Sequence, residues 1–368
     1  MAKIITVYTN KPQVHEFKYG DLIPIDMSYI RWYKISEALA RLGHRVDMAI
    51  PDPIGEWIKG TESGNGNSVR KIPLSNIKWK DYDVVKTLFD MGIETLQSYG
   101  GTNHPFIISK LGSVVGPKDM EGVYFYGDIR KRLYKTQEKI NKYSKFVTVL
   151  TRPARDLWIK SFGEEDKILL IPGAVEGVIP RPNKNPYKTK NKKICLFAGN
   201  VYTKNSQPEA NRVLIKKLNT LGILLKQQDI KLYFLGPGDV SQLDKRYVSY
   251  LGFKSYDKTW DYLYFADVGI VVCAGKFMHN NESTKIYHYL RIGLPIVSER
   301  GFPNDYVITE SKLGYIVENG NLEKMAQKIE EAAYRKDWDR EYAINYILIN
   351  HTWDKRVDIY DKIIKEYF

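Results

Sequence analysis

The chain of 368 residues reads as α/β, with two successive Rossmann-like parallel-sheet domains facing each other across a cleft. Short apolar runs such as Lys3–Tyr8, Ile194–Ala198 and Val268–Cys273 alternate with longer amphipathic stretches, the pattern of βαβ units. The alternation stops at a Pro-rich, basic segment, 181–193, and then restarts. The chain is also longer than one core of ordinary size requires.

In order, Lys3–Tyr8 is a buried strand, and a loop with Pro12, Gly20 and Pro24 follows. Ser28 is placed to cap a helix, Tyr29–Leu42, and Arg45–Ile50 is the next strand. A strand, a helix and a strand of these lengths imply parallel pairing. No GxGxxG follows the first strand, so a dinucleotide fingerprint is missing there. Residues 60–68 read as a flexible loop by composition. Asp83–Leu88 and Phe106–Ser109 are strands, and Leu111–Lys118 is a Gly-rich turn placed to face substrate. Ile129–Lys145 is a helix with Ile129, Leu133, Thr136 and Ile140 on one face. Lys131, Lys135, Lys139 and Lys142 line another face, either a solvated surface or a contact for anionic lipid head groups. Phe146–Leu150, a helix over Arg152–Phe162 and the strand Ile168–Ile171 complete a first domain, 1–180.

The second domain, 194–352, repeats the scheme. Its strands are Ile194–Ala198, Ile230–Leu235, Val248–Leu251, Val268–Cys273, Ile296–Val297 and Gly314–Val317. Its helices are Pro208–Leu225, Thr259–Phe265 and Leu322–Tyr334. A final helix, 353–368, is expected to pack back on the first domain. Between Asn280 and Glu299, Ser283 or Thr284 caps a helix that Gly293 ends and Pro295 prevents from continuing. The start of that helix, with Ser283, Thr284 and Lys285 beside it, is either an ordinary cap or a phosphate cradle.

Composition narrows the class. At 43% hydrophobic and 27% charged residues the chain is globular, and no apolar run reaches the ~20 residues that span a bilayer. Cys195 and Cys273 lie in apolar runs without zinc spacing, so they read as core residues of a reduced, cytoplasmic protein. A net charge of +13 admits nucleic acid, an anionic membrane surface or a phosphorylated substrate as partner. No zinc-finger or RNA-recognition signature favours nucleic acid.

Several segments, in order, resemble the GT-B-fold glycosyltransferases, and among them the large retaining group called family four. They are PGAVEGVIPRP, FAGNVYTKNSQPEA, LYFLGPGD, YLGFKSYDKTWDYLYFADVGIVVCAG, STKIYHYLRIGLPIVSERG and HTWDKRVDIYDKII. The resemblance covers roughly residues 150–368, and the first part of the chain matches in architecture only. It implies a nucleotide-sugar site in which Lys204 binds the donor diphosphate and Gly199 lets the backbone approach it. Gly236 and Gly238 would lie near the base, with Phe253 or Lys254 on the loop that reads it. Ser283, Thr284 and Lys285 would face phosphate or sugar. Where the family has an arginine after the glycine, this chain has Asn200. The family's glutamate pair falls on Asn280 and His288, with Glu282 two places away as a substitute.

The expected chemistry is sugar transfer with retention, Lys204 and helix N–H groups holding the leaving diphosphate. No metal is expected, and no cofactor beyond a UDP- or GDP-linked sugar as substrate. The acceptor is a glycan, a lipid-linked molecule or a protein. Asp90, His104, Asp119 and Asp128 are the first-domain candidates to position it, with Asp128 taken alongside Lys204 and Glu282 as catalytic. The alternatives are a GT-B nucleotide- or sugar-binding protein without turnover, an epimerase on the same fold, and a basic nucleic-acid binder.

Overall fold

The computed structural model describes residues 1–7, 17–18, 21–22, 27–50, 69–115, 127–163, 165–189, 191–203, 207–254, 256–275 and 281–368. These form two compact units, Met1–Ala174 with Trp353–Phe368, and Val175–Thr352.

The first unit runs β1 (Lys3–Val7), β2 (Phe17–Lys18), β3 (Asp21–Leu22), α1 (Met27–Arg41), β4 (Arg45–Ile50), β5 (Arg70–Pro73), β6 (Val84–Leu88) and α2 (Phe89–Ser98). It continues β7 (Ile107–Lys110), α3 (Gly127–Tyr143), β8 (Phe146–Val149), α4 (Arg152–Phe162) and β9 (Ile168–Leu170). Its parallel sheet has the order β5-β4-β1-β6-β7-β8-β9. Strands are apolar on both faces because helices cover both. Ile4, Val84 and Ile108 pack with Trp32, Ile35, Val357 and Tyr360, while Ile5, Val85 and Ile107 pack with Ile93, Ile140 and Trp158. The helix Trp353–Tyr367 thus belongs to this core. α1 starts at Met27, so Ser28 sits inside its first turn instead of ahead of it. On α3, Thr136, Gln137 and Ile140 are buried, and Lys131, Lys135, Lys139 and Lys142 are exposed.

The second unit runs β10 (Lys193–Ala198), α5 (Pro208–Lys226), β11 (Ile230–Leu235), β12 (Val248–Gly252), α6 (Tyr256–Tyr264), β13 (Val268–Val271) and α7 (Thr284–Arg291). It continues β14 (Ile296–Glu299), α8 (Tyr306–Ser311), β15 (Gly314–Val317), α9 (Leu322–Tyr334) and α10 (Arg340–Asn350), and α11 (Trp353–Tyr367) follows in the first unit. Its sheet, also parallel, has the order β12-β11-β10-β13-β14-β15. Both sheets therefore reverse direction beside their first strand, β1 next to β6 and β10 next to β13. In such sheets ligands bind beyond the carboxyl ends of the strands at that reversal.

The stretch read as a linker, 181–193, packs into the second unit. Tyr187 is buried there, its hydroxyl donating to the Tyr262 carbonyl at 2.8 Å and its ring lying 4.8 Å from that of Tyr233. A tyrosine in a Pro- and Lys-rich run supplies the apolar anchor that composition alone hides.

One buried charge stands out in the first unit. Lys86 projects from β6 into the layer beneath α11, where its Nζ lies 5.0 Å from the Tyr360 ring centre and has no hydrogen-bond partner among the described residues. Burial, helped by the nearby Arg31 cation, pushes its amine down to about 7. The folded value lies below the ordinary one of 10.5, so this group's contribution to stability is full above about pH 10.5 and lost as pH falls through about 7. Lys86→Met is expected to stabilise the protein by about 1–4 kcal/mol near pH 6.5, and by progressively less toward pH 10. Paired urea melts at the two pH values check this; equal stability of parent and variant at pH 6.5 would show that the amine is satisfied.

Candidate active site

The second unit's reversal point is built from the turns and the helix beyond β10 and β13. After β10 the chain makes a tight turn, Gly199–Thr203. The Asn200 side chain accepts from the Tyr202 N–H at 2.6 Å, and Tyr202 takes a left-handed φ of 61°. Asn200, the residue in the arginine's place, is thus spent on an Asx turn. This turn lies directly on the one after β11. A Cβ on Gly236, at φ 144°, would stand 1.9 Å from the Gly199 carbonyl oxygen, and one on Gly238, at φ 129°, would stand 2.8 Å from that of Tyr202. These glycines serve loop-on-loop packing, which is a different reason for glycine from approach to a base. Asn211, buried on α5, ties the assembly together, its amide donating to the carbonyls of Val201, Tyr202 and Asp239 at 2.8–3.1 Å. The sequence signal for Asn211 is a polar residue at helical spacing with Leu214, Ile215 and Leu218 on the buried face of α5.

Helix α7 is fixed against these turns by Tyr289, whose hydroxyl accepts the Ala198 N–H at 2.9 Å. Ser283 holds the N-cap position, yet its hydroxyl makes no capping bond and is buried without a partner among the described residues. The buried Asn304 side chain holds Ser283 instead, accepting from its N–H at 2.9 Å and donating to its carbonyl at 3.0 Å. The expected Ser283 or Thr284 cap is therefore not made. The Thr284 and Lys285 N–H groups have no acceptor among the described residues, which leaves the positive end of the helix open.

Lys285 extends from this helix end across Gly199. A Cβ on Gly199 would lie 2.4 Å from Lys285 Cε and 3.1 Å from Nζ, and the ammonium sits 5.4 Å from the Phe197 ring centre. No carboxylate pairs with it among the described residues. Burial pushes its amine down to about 8.

The remaining expected residues fall in different places. Glu282 lies just before α7 and accepts from the Tyr287 hydroxyl at 2.7 Å. His288 is buried with its ring 5.4 Å from Trp260 in an edge-on contact, and burial lowers its pKa to about 4. Phe253 is exposed at the carboxyl end of β12, with Lys254 beside it. Lys204, Asn280 and Asp119 lie outside the described residues. Asp128 is a solvated carboxylate at the start of α3, 99% exposed and paired, among the described residues, with Lys131 at 3.5 Å. Both ring nitrogens of His104 are engaged with backbone groups of Phe106 and Tyr82.

Sequence reading missed Glu299. It ends β14, fully buried, and both its oxygens accept from Lys217 Nζ at 2.7 Å. It also accepts the Cys273 N–H at 2.6 Å and the Gly320 N–H at 2.8 Å. The pair braces the chain leaving β13. Among the described residues no cluster of His, Cys, Asp and Glu is arranged to hold a metal ion.

Two Rossmann-like units of this topology define the GT-B fold of glycosyltransferases. Residues 216–356 match the family model described as "Glucosyltransferase 3-like, C-terminal domain". Among solved structures, HepE from Anabaena in complex with UDP and glucose superposes with a TM-score of 0.67 at 11% identity, covering 100% of each chain. A glycosyltransferase from Rickettsia africae gives 0.66 at 15% identity over 99% of this chain and 98% of that one. Sucrose-phosphate synthase from Thermosynechococcus elongatus gives 0.64 at 11% identity over 99% and 98%. At these identities the likeness is one of fold. No curated protein matches the sequence.

Proposed function

We propose that the chain is a glycosyltransferase that binds a UDP-linked sugar in its second unit and transfers the sugar to an acceptor hydroxyl, with retention and without a metal. The observation that carries this reading is the Lys285 ammonium laid over Gly199 beside the open start of α7. Breaking the bond between sugar and diphosphate leaves negative charge on the phosphate. A cation and unpaired N–H groups already in place stabilise that charge without reorganising. The matched glucosyltransferase domain and the UDP in the HepE structure support a UDP donor. Retention and independence of metal rest on the resemblance of the sequence motifs to family four. Lys204, next to the described part of the same turn, is assigned to the same phosphates.

A thermal-shift screen against UDP, GDP, ADP and their sugars tests this. UDP at 100 times its dissociation constant adds about 2.7 kcal/mol of stability, a rise of several degrees. A rise with none of the nucleotides would reject the donor site. Asn200, committed to its own turn, and the buried His288 favour a second reading, a nucleotide-sugar-binding protein without turnover. That protein would show the UDP shift but release no UDP from UDP-glucose.

A further inference from the structure

The first unit holds a groove that the donor reading does not use. It lies at the amino ends of β7, β8 and β9, on the far side of the sheet from the carboxyl edge where ligands of this topology bind. Its volume is about 670 Å³, inside the range of small-molecule sites, and Lys145, Phe146, Glu165, Asp166, Lys167 and Tyr367 line it. Phe106 directly precedes β7 and Phe146 begins β8, and the end of α11 brings Tyr367 and Phe368 against them. Phe106 is buried and is the hub of this cluster. Its ring centre lies 5.0 Å from that of Tyr367, 5.2 Å from that of Phe368 and 5.9 Å from that of Phe146, all in edge-on or tilted contacts. Contacts of this geometry fix the planes of the rings. Tyr367 nevertheless stays 45% exposed and Phe368 53% exposed.

The polar groups of the groove divide into two kinds. Glu165 is spent on Arg155, and Lys167 Nζ donates to the Asn141 carbonyl. These contacts help to hold the loop between α4 and β9, together with bonds from the Gly163 N–H to the Ile159 carbonyl at 2.7 Å and from the Val147 N–H to the Lys167 carbonyl at 2.8 Å. Asp166, on the same loop, is exposed and its carboxylate has no partner among the described residues. Lys145 is exposed with its Nζ 5.4 Å from the Tyr367 ring centre, and no carboxylate pairs with it among the described residues. That distance is near the limit of a cation–π contact, so the ammonium keeps its donors. A fixed, half-exposed ring with an uncommitted carboxylate and an uncommitted ammonium in one groove matches the chemistry of a sugar ring. A pyranose offers C–H groups to an aromatic face, and the hydroxyls around its rim both donate and accept. A purely apolar ligand would leave Asp166 and Lys145 desolvated and unpaired. An anionic surface would meet Asp166 and Glu165 as like charges.

We propose that this groove is an auxiliary glycan-binding site, in which Tyr367 carries the C–H face of one sugar ring while Asp166 accepts from its hydroxyls and Lys145 donates to them. The site takes no part in sugar transfer and needs no nucleotide, so it stands apart from the donor reading. Its ligand is uncharged, and binding is therefore expected to change little with salt, unlike the docking of an anionic partner.

The test is saturation-transfer NMR of the whole protein without nucleotide, using maltotetraose and methyl glycosides of glucose, galactose and N-acetylglucosamine as probes. Parent protein is expected to bind at least one of them, with an affinity that stays level between about 50 and 500 mM salt. Tyr367→Ala and Asp166→Ala are each expected to weaken that binding about fivefold or more. Asp166 is a solvated loop residue, so its variant keeps the parent's melting temperature and reports on recognition even if Tyr367→Ala loosens the aromatic cluster. No binding by the parent, or equal binding by parent and Asp166→Ala, overturns the proposal. Sedimentation of the parent with phosphatidylglycerol vesicles, lost in Tyr367→Ala and without any glycoside binding, also overturns it and assigns the exposed rings to a membrane surface. The UDP thermal shift is measured separately. A parent that binds a glycoside through Asp166 but shows no UDP shift rejects the donor reading and upholds this site.

Discussion

Lys285→Ala is expected to weaken UDP binding by about 10- to 100-fold and to slow sugar transfer by at least as much. The magnitude follows from losing one charge-assisted contact to phosphate, worth about 1.5–3 kcal/mol. Isothermal titration with UDP, followed by a UDP-release assay, measures both. The pH profile adds a signature. The amine lies at about 8 because of burial, so UDP affinity in the parent should decline as pH rises through 8, and the alanine variant should lack that decline. Misfolding is not expected to confuse the result. With a folded value depressed from 10.5 to about 8, Lys285 weakens the empty protein at neutral pH, and its removal relieves that cost. Unchanged affinity in Lys285→Ala would move the diphosphate away from α7 altogether.

Glu299→Gln is expected to destabilise the second unit by about 3–5 kcal/mol, because it leaves the Lys217 ammonium buried without its counter-charge. Gln also offers a donor where the Cys273 and Gly320 N–H groups need acceptors. The double variant Lys217→Met/Glu299→Leu should recover part of this loss, since it removes both buried charges together. Chemical denaturation of the single and double variants separates a coupled pair from two independent contacts. A loss under 1 kcal/mol in Glu299→Gln would mean that the pair is hydrated in solution.

The strands and most helices were legible in the sequence because their burial is two-sided and periodic. Arg152–Phe162, Ile230–Leu235, Gly314–Val317 and Leu322–Tyr334 have the bounds that the pattern predicts. Elements whose signal is interrupted were not. α2 contains Gly92 and starts at a left-handed phenylalanine, a conformation no propensity anticipates. α10 spreads Ala343, Ile344, Ile347 and Ile349 around its circumference, so it shows no apolar face. β5 is an edge strand that ends in Pro73. At the site, the helix carrying Lys285 was readable from its flanks. What could not be read was tertiary. Asn304 displaces the Ser283 cap from a distance of 21 residues, and Glu299 meets Lys217 from 82 residues away. The resemblance gives His288 a ligand's place, and its edge-on contact with Trp260 is a tertiary fact that no sequence pattern shows.

The contact between Gly199 and Gly236 has a consequence for altering donor preference by mutation. With no side chain between them, the two turns pack as one plate: a substituent on Gly236 would have to displace the Gly199 backbone, whereas one on Gly199 would push aside the end of the Lys285 side chain. On the proposed donor reading, variation that retunes which base or sugar is accepted is expected to enter at the exposed Phe253 and its neighbour Lys254. A library randomised at 253 and 254 should yield folded proteins with changed nucleotide preference. One randomised at 236 should yield almost none that fold.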